Sequence, residues 1–241
     1  MFKKMSGINK MDEKKNFRNE TLLVIAPHSD DEVLGCGGLI SRVKNDGGKV
    51  YVLIFNLGFE KDDTVESQKI RKNEVDSVME FLNVDDYHLV NDTPDKNRDL
   101  DAKPLHSLIE VIESTSHVSL EKISPTIVAI PTISSHHQDH VHVFNACIAA
   151  LRPISHPISN IVLSYEAPEH SRWSAHGVFE PNLFLDIEDV VKTKMDAFMM
   201  YKSQVKSGGR DADSILNQAK YRGQEVGRNF CEAYYVHRFI I

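Results

Sequence analysis

The sequence predicts an α/β fold, a mostly parallel sheet with helices on both faces. Three observations carry this expectation. Short runs rich in β-branched residues alternate with longer segments whose apolar positions recur at helical spacing. Thr21–Ala26 is almost continuously apolar, as a parallel strand buried on both sides should be. Two dense polar clusters begin directly after such runs, past Ala26 and past Ile130, and open α/β sheets bind ligands beyond the carboxyl ends of their strands.

In chain order, Thr21–Ala26 is the first expected strand. It runs into Pro27-His-Ser-Asp-Asp-Glu32, then Gly35-Cys-Gly-Gly38 and a helix through Ile40 to Lys44, ended by Asn45-Asp-Gly-Gly48. Lys49–Phe55 is the second strand. Glu66–Leu82 has helical spacing, Tyr87–Val90 reads as a short strand, and Leu105–Ile112 as a helix. Thr126–Ile130 is a strand ending at Pro131, and Val143–Leu151 is the helix after Ser134-Ser-His-His-Gln-Asp-His140. Ile161–Tyr165 and Val190–Lys202 are the last strand and helix so assigned. Arg152-Pro-Ile-Ser-His-Pro157 is a loop and not a domain boundary. A loosely ordered lead-in over residues 1–19 and one domain over residues 20–241 are expected.

Composition narrows the function classes. With 241 residues and 41% hydrophobic content, the chain buries enough apolar surface to fold without disulfide or metal staples. A net charge of −7 and a pI near 5.9 argue against nucleic-acid binding by a broad basic face. No apolar run is long enough to span a bilayer, so no integral membrane segment is expected. The basic N-terminal stretch lacks the apolar core of a signal peptide. Cys36, Cys147 and Cys231 are odd in number and widely spaced, which fits reduced thiols and a cytoplasmic location. A homo-oligomer is compatible with this composition.

His28-Ser-Asp-Asp-Glu32 concentrates an imidazole and three carboxylates at a strand end. At close quarters those carboxylates repel one another unless a cation intervenes. Histidine and aspartate suit zinc, and a catalytic zinc keeps three protein ligands and an open position. The alternative is an aspartate N-cap for the next helix. Gly35-Cys-Gly-Gly38 lacks the spacing of a dinucleotide loop and the lysine of a phosphate loop. Its small residues are read as allowing close approach to the sheet, and Cys36 as packing. In the second cluster, His137 and His140 share a face if a helix starts nearby, so that one could bind metal while the other reaches substrate. Asp139 stands between them, and a carboxylate beside an imidazole fixes its tautomer. His136 and His142 are assigned no role. Tyr165, Trp173 and Tyr201 are either stacking walls for a ligand or core aromatics.

Ala26-Pro-His-Ser-Asp-Asp-Glu32 resembles the AHPDDE motif of the PIG-L/LmbE-like zinc-dependent N-deacetylases, and His137-Gln-Asp-His140 resembles their HPDH motif. Similarity continues through Arg71-Lys-Asn-Glu74, Pro94-Asp-Lys with Leu100-Asp101, Phe179-Glu-Pro-Asn182, Lys194–Ala197 and Tyr201-Lys-Ser-Gln204. The resemblance implies a Rossmann-like fold and hydrolysis of the N-acetyl group of an amino sugar such as N-acetylglucosamine, a small-molecule substrate. It implies His28, Asp31 and His140 as metal ligands and Asp30 as general base. His137 would be the acid or oxyanion stabiliser, oriented by Asp139, and Arg71 a substrate contact. Zinc is the implied cofactor, and iron(II) also suits two histidines and a carboxylate. Ser29 and Gln138 replace prolines of the motifs, and Ser207-Gly-Gly-Arg-Asp-Ala212 departs from the family's proline-containing stretch, which bears on specificity. The competing readings are a non-sugar N-acyl amide as substrate, and a non-catalytic nucleotide-binding module that keeps only the glycine turn.

Overall fold

A computed structural model describes residues 16–58, 64–91, 100–154, 158–166, 173–205 and 210–241. Seven strands form one sheet: β1 (Thr21–His28), β2 (Lys49–Asn56), β3 (Asp86–Asn91), β4 (Ile127–Pro131), β5 (Ile161–Tyr165), β6 (Leu183–Asp186) and β7 (Cys231–Phe239). Their order is β3-β2-β1-β4-β5-β7-β6. The first five are parallel, while β7 pairs antiparallel with both β5 and β6. Between β1 and β4 the direction of strand progression reverses, which opens a crevice at their carboxyl ends.

The apolar runs are continuous because both faces are covered. Along β1, Leu22, Val24 and Ala26 enter one core while Leu23 and Ile25 enter the other. The first core takes residues from α1 (Asp31–Asn45), α2 (Val65–Phe81) and α6 (Val191–Met200), and Ile215 of α7 (Ala212–Glu225). The second takes residues from α3 (Leu105–Glu110), the π-helical turn Val111–Thr115, α4 (Leu120–Ile123) and α5 (Gln138–Ala150). Phe17, inside the expected lead-in, is buried in the first core, and residues 1–15 lie outside the described residues.

Three departures from the sequence reading bear on the site. Helix α1 begins at Asp31, so Gly35–Gly38 lie within a helix and not in a turn before one. A Cβ on Gly38 would stand 2.6 Å from Ile187 Cγ2, so that position needs glycine. Helix α5 begins at Gln138, five residues before the expected Val143, and so contains His140. The antiparallel pair β6 and β7, and helix α7, were not anticipated. Glu232 of β7 accepts from the backbone N–H groups of Gly38 (2.7 Å) and Leu39 (2.8 Å) and from Lys194 Nζ (2.7 Å). Lys194 also donates to the Leu34 carbonyl at 2.7 Å, so a buried ion pair joins α6 and β7 to the middle of α1.

Candidate metal centre and active site

Both motifs reach the crevice between β1 and β4. His28 is the last residue of β1, Asp30 is the N-cap of α1, and Asp31 opens that helix. On the other side the chain leaves β4 at Pro131, and His137 is the N-cap of α5, with Asp139 and His140 in its first turn.

Asp30 is an N-cap by position, but its side chain makes no capping hydrogen bond. Its φ of 103° lies in the left-handed region, which is uncommon outside glycine and marks a constrained backbone. The Asp30 N–H donates to Glu32 Oε2 at 3.0 Å, while its carbonyl accepts from the N–H groups of Val33 (3.1 Å) and Leu34 (2.9 Å). Its carboxylate Oδ2 accepts from Arg210 Nη1 at 2.8 Å.

Asp31 Oδ2 is 3.2 Å from His140 Nε2 and 3.5 Å from His28 Nδ1. It also accepts from the His28 N–H at 3.0 Å. One ligand atom from each of His28, Asp31 and His140 lies within 4.8 Å of the others, and all three residues are buried. That spacing and a nitrogen–nitrogen–oxygen donor set fit a divalent zinc-like cation. A second set within the same spacing, His28, His137 and Asp139, shares His28. In the second set the Asp139 carboxylate also serves other partners. Asp139 Oδ1 accepts from the N–H groups of Leu100 (3.0 Å) and Asp101 (3.2 Å), and Oδ2 is 2.8 Å from His28 Nε2. With the Nδ1 of His28 turned to Asp31, its Nε2 against Asp139 is the arrangement by which a carboxylate outside the ligand set orients a metal-binding imidazole. The resemblance assigns Asp139 to orient His137; the structure brings the Asp139 carboxylate against His28. The His137 ring packs 4.8 Å from that of His28 and 5.4 Å from that of His140, centroid to centroid.

The electrostatics reflect a site that calls for positive charge. Burial alone would lower the pKa of His28, but hydrogen bonds and charge from Asp139 and Asp31 raise it to about 9. Burial raises Asp30 to about 7, with Asp31 adding to the rise and Arg210, Arg71 and His28 opposing it. Burial lowers His137 to about 4, helped by the charges of His28 and His140. Glu32 is pushed by burial up to about 8, against the hydrogen bond it accepts from the Tyr201 hydroxyl.

Arg71 is buried, and its Nη2 donates to Ser29 Oγ at 3.4 Å. For an arginine on a helix, an i, i+3 surface ion pair, here with Glu74, is the alternative to a substrate contact. Glu74 is instead buried and accepts from the Ser203 N–H (3.0 Å) and hydroxyl (2.6 Å). Tyr165 and Tyr201 are core aromatics, whereas Trp173 is 78% exposed. Cys36 is buried, and burial pushes its thiol well above the usual range, in keeping with packing. His142 donates through its Nε2–H to the Lys103 carbonyl, 2.9 Å away. Of the remaining similarity, residues 94–96 and 207–209 lie outside the described residues. Arg210 and Glu32 are the site groups to which sequence reasoning gave no role. The one signal for Arg210 was its place in the divergent stretch after Gln204.

On the same sheet edge, a cavity of about 340 Å³ is lined by Ser134, Phe144, Ser164, Phe179, Tyr235 and His237, among others. Ser134 precedes the second motif, and Phe144 lies one helical turn beyond His140.

A deacetylase of Escherichia coli K12 named YaiS, itself uncharacterised, is 24% identical over 191 residues, 77% of this chain and 92% of the relative. The N,N′-diacetylchitobiose deacetylase of Pyrococcus horikoshii superposes with a TM-score of 0.68 at 20% identity, covering 94% of this chain and 87% of the other. GalB of Pseudomonas putida KT2440, a 4-carboxy-2-hydroxymuconate hydratase, superposes with a TM-score of 0.66 at 18% identity, covering 92% and 98%. At such identities the superpositions establish the fold alone, and it is the sequence that decides the family. The model of the GlcNAc-PI de-N-acetylases matches residues 23–151, a span that begins in β1 and ends just past α5 and so takes in both motifs; the chain belongs to that family, PIG-L.

Proposed function

We propose that this chain is a metal-dependent hydrolase that removes the N-acetyl group of an amino sugar or sugar conjugate. The observation that carries the reading is the convergence of His28, Asp31 and His140 with the carboxylate of Asp30 beside them. A divalent ion held by those three residues would polarise the amide carbonyl and bring the pKa of a water to about 7. Zinc fits the donor set, and iron(II) is the alternative.

The chain's own groups account for the proton movements. Asp30, with a pKa near 7, can both take a proton and return it close to neutrality. It accepts the proton of the attacking water as the new carbon–oxygen bond forms. His137, held neutral, donates an N–H to the carbonyl oxygen as negative charge develops there; losing one such donor costs about 3 kcal/mol. Asp30 then returns its proton to the departing nitrogen as the carbon–nitrogen bond breaks, leaving acetate and a free amine. Arg71, beside Ser29, would bind the rest of the substrate with a rigid fork of donors.

Two considerations support an amino sugar over another amide. The family is that of de-N-acetylases of an N-acetylglucosamine conjugate, and a structural neighbour is a diacetylchitobiose deacetylase. The cavity walled by Phe144, Phe179 and Tyr235 offers aromatic faces and hydroxyls of the kind that hold a sugar ring. The hydratase neighbour is a reminder that this fold also supports water addition to other substrates.

The test is acetate release from N-acetylglucosamine, N,N′-diacetylchitobiose and a panel of N-acetyl amino acids, with and without chelator. Release from an acetamido sugar, lost on chelation and restored by zinc, is expected. Release only from the amino acids overturns the sugar reading, and release indifferent to chelation overturns the metal.

A further inference from the structure

We infer that Arg210 is a positioning residue for the Asp30 carboxylate, an inference that rests on the reading of Asp30 as the group that takes the water's proton. The backbone of Asp30 is already fixed: it sits at φ 103°, with its N–H held by Glu32 and its carbonyl by the first turn of α1. What remains free in such a residue is the rotation of a short side chain. An N-cap aspartate ordinarily settles that rotation by turning back onto the N–H groups of its own helix. Asp30 does not do so, because it makes no capping bond. Its Oδ2 instead meets Arg210 Nη1 at 2.8 Å, across 180 positions of sequence.

The pair is built to hold. Asp30 is almost fully enclosed, with its side chain 2% exposed, and the Arg210 side chain is 22% exposed. A carboxylate with little water around it depends on its protein partners for orientation, and a charge-assisted bond to guanidinium is among the stronger available. The arginine is itself braced. Its Nη1 also lies 3.4 Å from Oε1 of Gln204, a buried residue at the end of the Tyr201–Gln204 stretch. That stretch is tied to α2, since Glu74 accepts from Ser203. With Oδ2 occupied by Arg210, Oδ1 is the oxygen left to accept a proton.

Arg210 lies outside residues 23–151, the part matched by the family model. The arrangement therefore assigns a role in setting the reacting carboxylate to the divergent C-terminal stretch.

The experiment compares Arg210→Ala and Arg210→Lys, alone and with Asp30→Asn, in the zinc-loaded full chain. Crystal structures of wild type and Arg210→Ala are compared alongside kinetics of acetate release from N,N′-diacetylchitobiose. Expected for Arg210→Ala are unchanged zinc content, KM within about two-fold, and a kcat fall of about 10- to 100-fold, the size associated with misplacement of a reacting group. Lysine should restore part of the loss. On the Asp30→Asn background the alanine substitution should cost nothing further, because the group it positions has gone. In the crystal, the Asp30 carboxylate of Arg210→Ala should leave its wild-type orientation. A raised KM with unchanged kcat would make Arg210 a substrate anchor and overturn the inference. So would an equal loss on the Asp30→Asn background, or an Asp30 carboxylate that stays in place. If no acetamido sugar is turned over by wild type, the proposed function fails by itself, and the crystallographic comparison still decides whether Arg210 sets the carboxylate.

Discussion

Tyr165 lies across Gly35 so closely that a Cβ on the glycine would stand 2.1 Å from the ring's Cδ2. The ring is held in place from its far end, where its hydroxyl donates to the Ile25 carbonyl at 3.0 Å. Helix α1 therefore rests on the end of β5 through a contact that only glycine permits, and Asp30 and Asp31 sit at the start of that helix. Gly35→Ala should destabilise the protein despite a gain of about 1 kcal/mol in helix propensity. Forcing an atom into such a contact costs about 1–3 kcal/mol or more. Thermal denaturation of the variant decides it: a Tm at or above that of wild type would mean the contact relaxes freely.

The two overlapping donor sets around His28 make opposite forecasts for metal content. If His28, Asp31 and His140 hold the ion, then His28→Ala and His140→Ala should each lose bound zinc after dialysis, while His137→Ala retains it. Elemental analysis of the purified variants reads this directly. Loss in His137→Ala together with retention in His140→Ala would move the ion to the set containing Asp139.

Arg71 has a different forecast from the one its sequence position invites. As a surface residue it could be replaced without effect on stability. Buried against Ser29, with Gly58 so near that a Cβ there would lie 3.2 Å from both terminal guanidinium nitrogens, it is part of the packing. Arg71→Ala should lower stability by about 1–3 kcal/mol, as expected when a buried hydrogen-bonding group is removed. It should also raise KM for the acetamido sugar. A variant with wild-type denaturation midpoint and wild-type KM would return Arg71 to an incidental role.

Glu32 gives the metal-free protein a pH dependence with a definite sign. Its folded pKa, about 8, lies above the ordinary 4.5, so the folded state holds this proton more tightly than the unfolded chain does. The corresponding stability is fully present below the ordinary value and is lost as pH rises through about 8. His28, raised from 6.5 to about 9, acts with the same sign and extends the decline. Tm measured in chelator should fall across this range. Glu32→Gln, which keeps an acceptor for the Asp30 N–H and carries no charge, should flatten the lower part of the fall. An unchanged slope in that variant would assign the whole effect to other groups.

Much of the fold was legible because burial on both faces leaves a mark that needs no context. β1, β2, β4 and β5 are largely apolar, and the polar clusters that follow β1 and β4 make up the site. β7 hides because it alternates: Tyr235, His237 and Phe239 are exposed, and Glu232 is a charged residue in the interior. Its burial depends on Lys194 and on backbone groups of α1, none of them near in sequence. The start of α5 was misplaced because its first turn is made of the polar residues that the site requires. The two motifs could be read locally, as three or four residues each. Arg210 could not, since nothing around it announces a partner 180 positions earlier.

The tie between Glu232 and the middle of α1 has a bearing on how the site comes into being. The first helix leaves the ribosome well before β7, because the carboxylate that engages its Gly38 and Leu39 N–H groups is translated nearly two hundred residues later. Contacts spanning so much of the chain are slow to close. Until β7 is synthesised, Glu232 is not there to engage the backbone of the helix that carries Asp30 and Asp31 at its start. A chain released before β7 would carry both motifs intact in sequence and would still lack the clamp that steadies the first of them.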